Sequence, residues 1–224
     1  MTVQQMLLSP GGAPPVFVGA TTQQVAASAT VDITLPSGLA VNDYVFIGFV
    51  ADNIGGIPTV NSAGWTVIYQ PDVQGVPTGT VIRKIMGTTP DTVCNITNPV
   101  ADEMAVVCQA WRGVNSGTPE DGVTIVKATG ATGLPDSGSI TPTTDNTVVI
   151  SFGGLDDDNA TGIAAPSGYT NLSWTAAGGV AESTSTAMVS SKEVVTPAAE
   201  NPGAYTASTG DDQWIAATWA LRNA

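Results

Sequence analysis

Short runs of apolar and β-branched residues, separated by turn sequences, recur along the whole chain. Val, Ile and Thr fill these runs, and breaks such as PSG, NSAG, NPVAD and STGDD supply the residues that turns require. Apolar and polar residues alternate within many runs, which is the period of a half-buried β-strand. No segment has the apolar spacing of an amphipathic helix. The pattern predicts thirteen strands, at 16–20, 30–35, 44–50, 66–70, 80–86, 92–97, 103–111, 123–127, 147–153, 170–174, 185–195, 203–208 and 213–221.

Four of these strands in the first half of the chain have counterparts, in the same order, in the second half. NDYVFIGFVADN aligns with DNTVVISFGGLDDDN, and SAGWTVIYQ aligns with PSGYTNLSW. The aligned segments are 42–53 with 145–159, 62–70 with 166–174, 78–86 with 185–193, and 102–111 with 211–221. A repeat of this kind indicates two halves of similar structure, at about 16–114 and 123–222.

The composition favours an all-β protein. Twenty-five glycines and fifteen prolines punctuate the chain, and the straight-chain residues that form helices are scarce. We therefore predict a single large antiparallel β-sandwich of jelly-roll type over 16–224, built from the two weakly similar halves. The alternative is two tandem small β-sandwich domains. Residues 1–15 precede the first strand and are expected to form an N-terminal arm, either a frayed tail or a segment that docks onto a neighbouring subunit.

The charge of the chain narrows the range of partners. Lys and Arg total 6, Asp and Glu total 19, and the net charge is −13. A surface of this sign repels phosphate backbones and anionic lipids, so we expect neither nucleic acid nor membranes as partners. No apolar run reaches the length that a membrane-spanning helix needs.

Histidine is absent, and this excludes several kinds of chemistry. Without an imidazole there is no Ser-His-Asp or Cys-His catalytic arrangement and no histidine metal ligand. Cys94 and Cys108 both point inward by alternation, and a hairpin across 98–102 would make them neighbours. We expect buried free thiols, with a disulfide as the alternative.

The segment LDDDNATG at 155–162 is the densest group of acids in the chain. Carboxylate oxygens suit hard cations, so Asp156, Asp157 and Asp158 form a candidate calcium loop. The spacing is not that of a known calcium loop, however, and adjacent aspartates on an extended chain point to opposite sides. A solvated hairpin loop, equivalent to VADNIGG in the first half, is the other interpretation. No further cofactor is expected.

Four short motifs carry a resemblance to a known family. They are AGWT at 63–66, AVVCQAWRGV at 105–114, PSGYT at 166–170 and WIAATWALR at 214–222. In this order, over roughly 28–222, the chain resembles virion structural proteins of tailed bacteriophages, of the decoration, head-fibre or tail-fibre type, which have jelly-roll or lectin-like β-sandwiches. The resemblance implies a structural protein on the exterior surface of the virion, with no enzymatic activity.

Within that class we expect a capsid decoration or cement protein that contacts the major capsid protein and other copies of itself through its surface and its arm. A tail-fibre protein or a receptor-binding or carbohydrate-binding adhesin is the alternative, so a glycan is a further possible ligand. A carboxylate-based hydrolase is a third interpretation, and its candidate acids are Asp156, Asp157, Asp158, Glu182, Glu193 and Asp211. Trp65, Trp111 and Trp219 lie in strand positions and are predicted to belong to the core.

Overall fold

The computed structural model describes residues 12–52, 57–70, 77–99, 103–122, 125–156, 160–178, 185–208 and 212–224. These residues form fifteen β-strands. None of them forms a helix that is long and apolar enough to cross a membrane. The strands are β1 Val16–Val25, β2 Thr30–Thr34, β3 Tyr44–Ala51, β4 Thr59–Val60, β5 Thr66–Tyr69, β6 Thr78–Ile85, β7 Val93–Thr97, β8 Met104–Arg112, β9 Val126–Gly130, β10 Asp136–Ser137, β11 Thr147–Leu155, β12 Thr170–Ala177, β13 Ser185–Val194, β14 Gly203–Ala204 and β15 Trp214–Leu221.

The protein is an all-β, antiparallel sandwich, as predicted, and each predicted strand is present. The two strands that the pattern missed, β4 and β10, have only two residues each, which is too short for an alternation to be visible. β1 is longer than predicted because the polar segment TTQQ continues to pair with β8 along an edge of its sheet.

Two five-stranded sheets form the centre of the molecule. The first has the strand order β1-β8-β3-β6-β5 and the second has the order β12-β13-β11-β15-β9. Read from its other edge, the second sheet has the order β9-β15-β11-β13-β12. Its strands β15, β11, β13 and β12 then occupy the same positions as β8, β3, β6 and β5, with which they align in sequence. The sequence alignment and the sheet order therefore describe the same internal similarity.

Each central sheet has both faces covered. The three-stranded sheet β2-β7-β4 packs on the outer face of the first, and β10, β14 and nearby loops pack on the outer face of the second. Alternate residues of β3 thus enter two different cores: Tyr44 and Phe46 face the second sheet, whereas Val45 and Ile47 face β2 and β7. This explains why all of β3 is buried.

The two central sheets approach closely and share one hydrophobic core. A Cβ at Gly48 would lie 2.5 Å from Cε2 of Phe152, so only glycine fits this contact without a shift. Ser185 also joins the sheets, because its Oγ donates to the carbonyl of Val50 (2.9 Å). Among the described strands, each central sheet contains strands from one half of the chain only. This strand pairing is the one expected for the alternative prediction, in which each half forms its own sandwich. The shared core nevertheless makes the halves one body.

The first described residues lie beside the last ones. The carbonyl of Gly12 accepts hydrogen bonds from the side-chain amides of Asn146 and Asn223, both at 2.9 Å. The N–H of Ala224 donates to the carbonyl of Gly113 (2.8 Å). The last residues of the predicted arm are therefore attached to the sandwich, and Pro15 is buried. Residues 1–11 of that arm lie outside the described residues.

Candidate functional site

The predicted calcium loop is described only at its first aspartate. Asp156 follows β11 directly, is half-buried, and donates its backbone N–H to the carbonyl of Gln213 (2.9 Å). Asp157 and Asp158 lie outside the described residues. Within the described ranges no group of three or more acidic, cysteine or histidine side chains is placed to hold a metal ion. Calcium binding at this loop therefore stays a prediction.

Asp156 belongs to an acidic end of the sandwich. β3 and β11 run in the same direction face to face, since Gly48 lies against Phe152 and Gly154 lies against Val50. The residues that follow β3 and β11 and precede β8 and β15 are consequently at the same end. The described carboxylates there, all half-buried, are Asp52, Glu103, Asp156 and Asp212.

The six cationic side chains of the protein all have partners within the fold. Five form ion pairs with a carboxylate, and Lys127 lies over the ring of Tyr69 with its Nζ 5.9 Å from the centroid. The ion pairs are Arg83 with Glu120 (3.1 Å), Lys84 with Asp91 (2.6 Å), Arg112 with Asp43 (2.8 Å), Lys192 with Glu200 (2.8 Å) and Arg222 with Asp121 (3.1 Å). This arrangement leaves the excess of acid uncompensated on the surface.

Asp121 is the most heavily hydrogen-bonded of these acids. Its carboxylate accepts bonds from the backbone N–H and hydroxyl groups of Thr143 and Thr144 and from the guanidinium of Arg222. Burial by itself raises the pKa of the Asp121 carboxyl, but the bonds from Thr143 and Thr144 outweigh it, so the pKa is below its ordinary value. These contacts attach the segment between the halves to the second half, which is a structural role.

The motifs AGWT and SGYT occupy equivalent turns in the two halves. Gly64 and Gly168 have φ of 83° and 80°, a left-handed conformation that favours glycine. A lysine from the neighbouring strand crosses each turn: Lys84 donates to the carbonyl of Ala63 (2.9 Å), and Lys192 lies over the ring of Tyr169. These two motifs of the family resemblance thus serve the fold.

The tryptophans predicted for the core differ in burial. Trp219 and Trp111 are 0% and 2% exposed, as predicted. Trp65 is only partly buried, where it packs against the core between β3 and β7.

The two cysteines are buried and free, as expected. They do not lie on a hairpin, however, because β7 pairs with β2 and β4 whereas β8 pairs with β1 and β3. Cys94 and Cys108 instead enter the same core from opposite sheets. Burial raises the pKa of Cys94 to about 12 and also raises that of Cys108, which makes both thiols poor nucleophiles at neutral pH.

Of the acids proposed for a hydrolase, Asp156 and Glu193 lie among the described residues, and these two do not converge, whereas Asp157, Asp158, Glu182 and Asp211 lie outside the described residues. Glu193 pairs with Val148 near the start of β11, whereas Asp156 follows the end of that strand. Eight residues of extended chain span roughly 26 Å, several times the separation of a glycosidase carboxylate pair. Asp156 and Glu193 therefore cannot act on the same bond.

Sequence inspection missed a groove at the opposite end from Asp156. It lies where the start of β1 meets β12 and β13, and its volume is about 280 Å³. Its residues come from five separate segments of the chain, so no local motif marks it. Its lining includes Pro15, Phe17, Trp111, Asn171, Ser191 and Glu193.

Comparison with protein families, with curated proteins and with solved structures finds no significant match to this chain. The resemblance to virion proteins accordingly stays a hypothesis that rests on the four short motifs.

Proposed function

We propose that the protein is a non-enzymatic structural component on the exterior of a bacteriophage particle, most consistent with a capsid decoration or cement protein. The proposal rests on the observation that all six cationic side chains have a partner within the fold, five of them a carboxylate and one an aromatic ring. It leaves a surface that is net acidic, soluble at high local concentration and repelled by packaged DNA. The outside of a particle is where such a surface is favourable.

The shape of the molecule supports the same role. The two halves share one hydrophobic core, and each central sheet is covered on both faces. Gly12 is held by Asn146 and Asn223 at one end of the sandwich. Residues 1–11 precede this anchored point, and we propose that they contact the major capsid protein or another copy of this chain.

Reconstitution with undecorated capsids tests the proposal. Purified protein is mixed with capsids assembled without it, and cosedimentation and electron microscopy measure the number of bound copies. We expect saturable, regular binding. Deletion of 1–11, which keeps Gly12 and its two hydrogen bonds, should abolish binding without changing the melting temperature.

A chain with residues 1–11 in scrambled order is the matched control, because it keeps length and composition. It should bind no better than the deletion variant. If the full-length protein does not bind the capsids, the cement proposal is wrong. If the deletion variant binds normally, residues 1–11 are not the contact with the capsid.

A receptor-binding adhesin on a tail fibre or elsewhere is the second candidate, and the groove beside Trp111 favours it. An adhesin should bind host cells rather than capsids. Fluorescently labelled protein, added separately to cells and to undecorated capsids, distinguishes the two functions.

A further inference from the structure

The groove beside Trp111 has one continuous apolar wall. Residues 14–17, two prolines followed by Val16 and Phe17, form this wall, and Val148 adjoins it. Val16 is 62% exposed, the largest exposed fraction among the large apolar side chains of the described residues. Contiguous apolar surface that stays in water is unfavourable and marks places where another segment binds.

The same end of the sandwich carries the other strongly exposed apolar side chains. The three most exposed ones among the described residues are Val16, Val195 and Val41. The backbone N–H of Asn146 donates to the carbonyl of Val195 (2.9 Å), and the side chain of Asn146 donates to Gly12. Val41 lines a second cavity together with Ala224. The apolar surface is therefore concentrated where the described chain begins, at the opposite end from the acidic one.

Residues 1–11, MTVQQMLLSPG, have the composition of a segment that this groove can bind. They include five apolar side chains and no charged one, in a chain whose net charge is −13. Three of the apolar residues, Met6, Leu7 and Leu8, are consecutive. A groove of about 280 Å³ buries only a few side chains, which matches a cluster of three. The absence of charge avoids repulsion by Glu193, which is exposed at the groove.

The direction of the chain at Gly12 favours a groove on another molecule. Ala13 and Pro14 each precede a proline, which favours an extended backbone. The chain thus leads from the groove to Gly12, where a Cβ would lie 2.6 Å from the carbonyl oxygen of Ala224. Residues 1–11 begin beyond this point and must reverse at once to enter their own groove. Eleven extended residues span up to about 36 Å, which is enough to reach a second copy without a reversal.

We propose that Met6, Leu7 and Leu8 of one copy occupy the groove beside Trp111 of a neighbouring copy. Their side chains are buried against Val16 and Phe17, so apolar surface of both copies leaves water. The inference rests on the proposed function of residues 1–11 as a contact segment and assigns them one partner, a second copy of this chain. It is tested without capsids, so its failure and the failure of the cement proposal are distinguishable.

Sedimentation velocity of the full-length protein tests the contact between copies. We expect reversible association that increases with concentration between about 1 and 300 µM. The double variant Leu7→Ser, Leu8→Ser removes apolar surface from the segment, and Val16→Gln removes it from the exposed wall of the groove. Each should weaken association at least about tenfold, because burial of one aliphatic side chain contributes about that factor.

Each variant has a matched control. Gln4→Ser with Gln5→Ser changes two polar residues of the same segment, and Val67→Gln changes an exposed valine on β5 that lies outside the groove. Both controls should associate as the unmodified protein does.

Nuclear magnetic resonance then locates the contact. The ¹⁵N-labelled Leu7→Ser, Leu8→Ser protein has an intact groove, and a synthetic peptide of residues 1–11 is titrated into it. We expect saturable shifts of the backbone signals of Val16, Phe17 and Asn171. A peptide in which both leucines are replaced by serine should not shift them.

Three outcomes overturn the proposal. If the full-length protein stays monomeric and the peptide shifts none of these signals, the groove does not bind the segment. If the peptide binds but the full-length protein stays monomeric at every concentration, each copy fills its own groove and the assignment to a neighbour is wrong. If Val16→Gln associates as the unmodified protein does, the copies meet through a different surface.

Discussion

At the scale of single residues, buried polar groups are stabilised by several local partners at once. Asp121 is the clearest case, because its fully buried carboxylate accepts from two backbone N–H groups, two hydroxyls and one guanidinium. Hydrogen bonds to the charged form keep its pKa low despite burial. The same contacts make its protonation destabilising.

Replacement of Asp121 by Asn should therefore destabilise the protein in a pH-dependent manner. At pH 7 we expect a loss of about 3 kcal/mol in the free energy of unfolding, because the charged acceptor of several bonds is removed. The pKa of Asp121 is lower in the folded than in the unfolded state, so its contribution is present above the unfolded value and is lost as the pH falls towards the folded value. Urea titrations at pH 7 and at pH 3 measure this difference.

Asp136→Asn is the matched control, since Asp136 is an exposed acid on β10. It should change the free energy of unfolding by less than about 0.5 kcal/mol at pH 7. An equal loss for Asp121→Asn at both pH values would contradict the assigned pKa direction.

The tryptophans allow a second test at this scale. Trp219→Ala and Trp111→Ala should each cost about 3–5 kcal/mol, because both side chains fill the core between the central sheets. Trp65→Ala should cost clearly less, since Trp65 is partly exposed. Urea unfolding measures the three values, and equal losses at all three positions would show that burial does not set the cost.

At the scale of elements, the strands of the central sheets are shaped for contact on two faces. β3 presents large side chains to both of its neighbours, but at Gly48 it has none, and the ring of Phe152 from β11 fills that space. The close packing of the two sheets depends on such pairs of small and large residues.

Gly48→Ala should consequently be destabilising although alanine is compatible with strands. The added Cβ would lie 2.5 Å from Phe152, so the sheets or the ring must shift, at a cost of about 1–3 kcal/mol. Thermal unfolding followed by circular dichroism measures the effect. Gly87→Ala is the control, because nothing lies within 4 Å of a Cβ there, and its melting temperature should be nearly unchanged. Equal melting temperatures for both variants would contradict the close approach.

At the scale of the whole molecule, the two halves are similar in strand order and are joined by a single core. Residues of both halves, such as Phe46 and Trp219, are in direct contact, with ring centroids 5.1 Å apart. Neither inner face can therefore be exposed without disrupting the other half.

We expect the protein to unfold in one cooperative transition. Calorimetry should give equal calorimetric and van't Hoff enthalpies, and Trp219→Ala should lower the melting temperature of the entire transition rather than of one half. Two separate transitions, only one of them moved by Trp219→Ala, would show that the halves unfold independently.

The sequence by itself determined the local structure of the protein. The alternation at Thr30–Thr34 and the apolar run at Tyr44–Ala51 specify strands, and Gly64 and Gly168 specify turns, because these are preferences of short segments for one backbone conformation. The matching order of four blocks also revealed the internal repeat, because similar strand patterns produce similar sheets.

Only the tertiary structure decided which sheets meet and what they enclose. Pairing of distant strands places Cys94 and Cys108 in facing sheets, and it brings Trp111, Asn171 and Glu193 to one groove. The alternation of apolar and polar residues along a strand predicts which side chains share a face, but it does not predict which sheet covers that face. That choice depends on contacts between segments more than a hundred residues apart, such as Gly48 with Phe152, where shape rather than local pattern selects the partner.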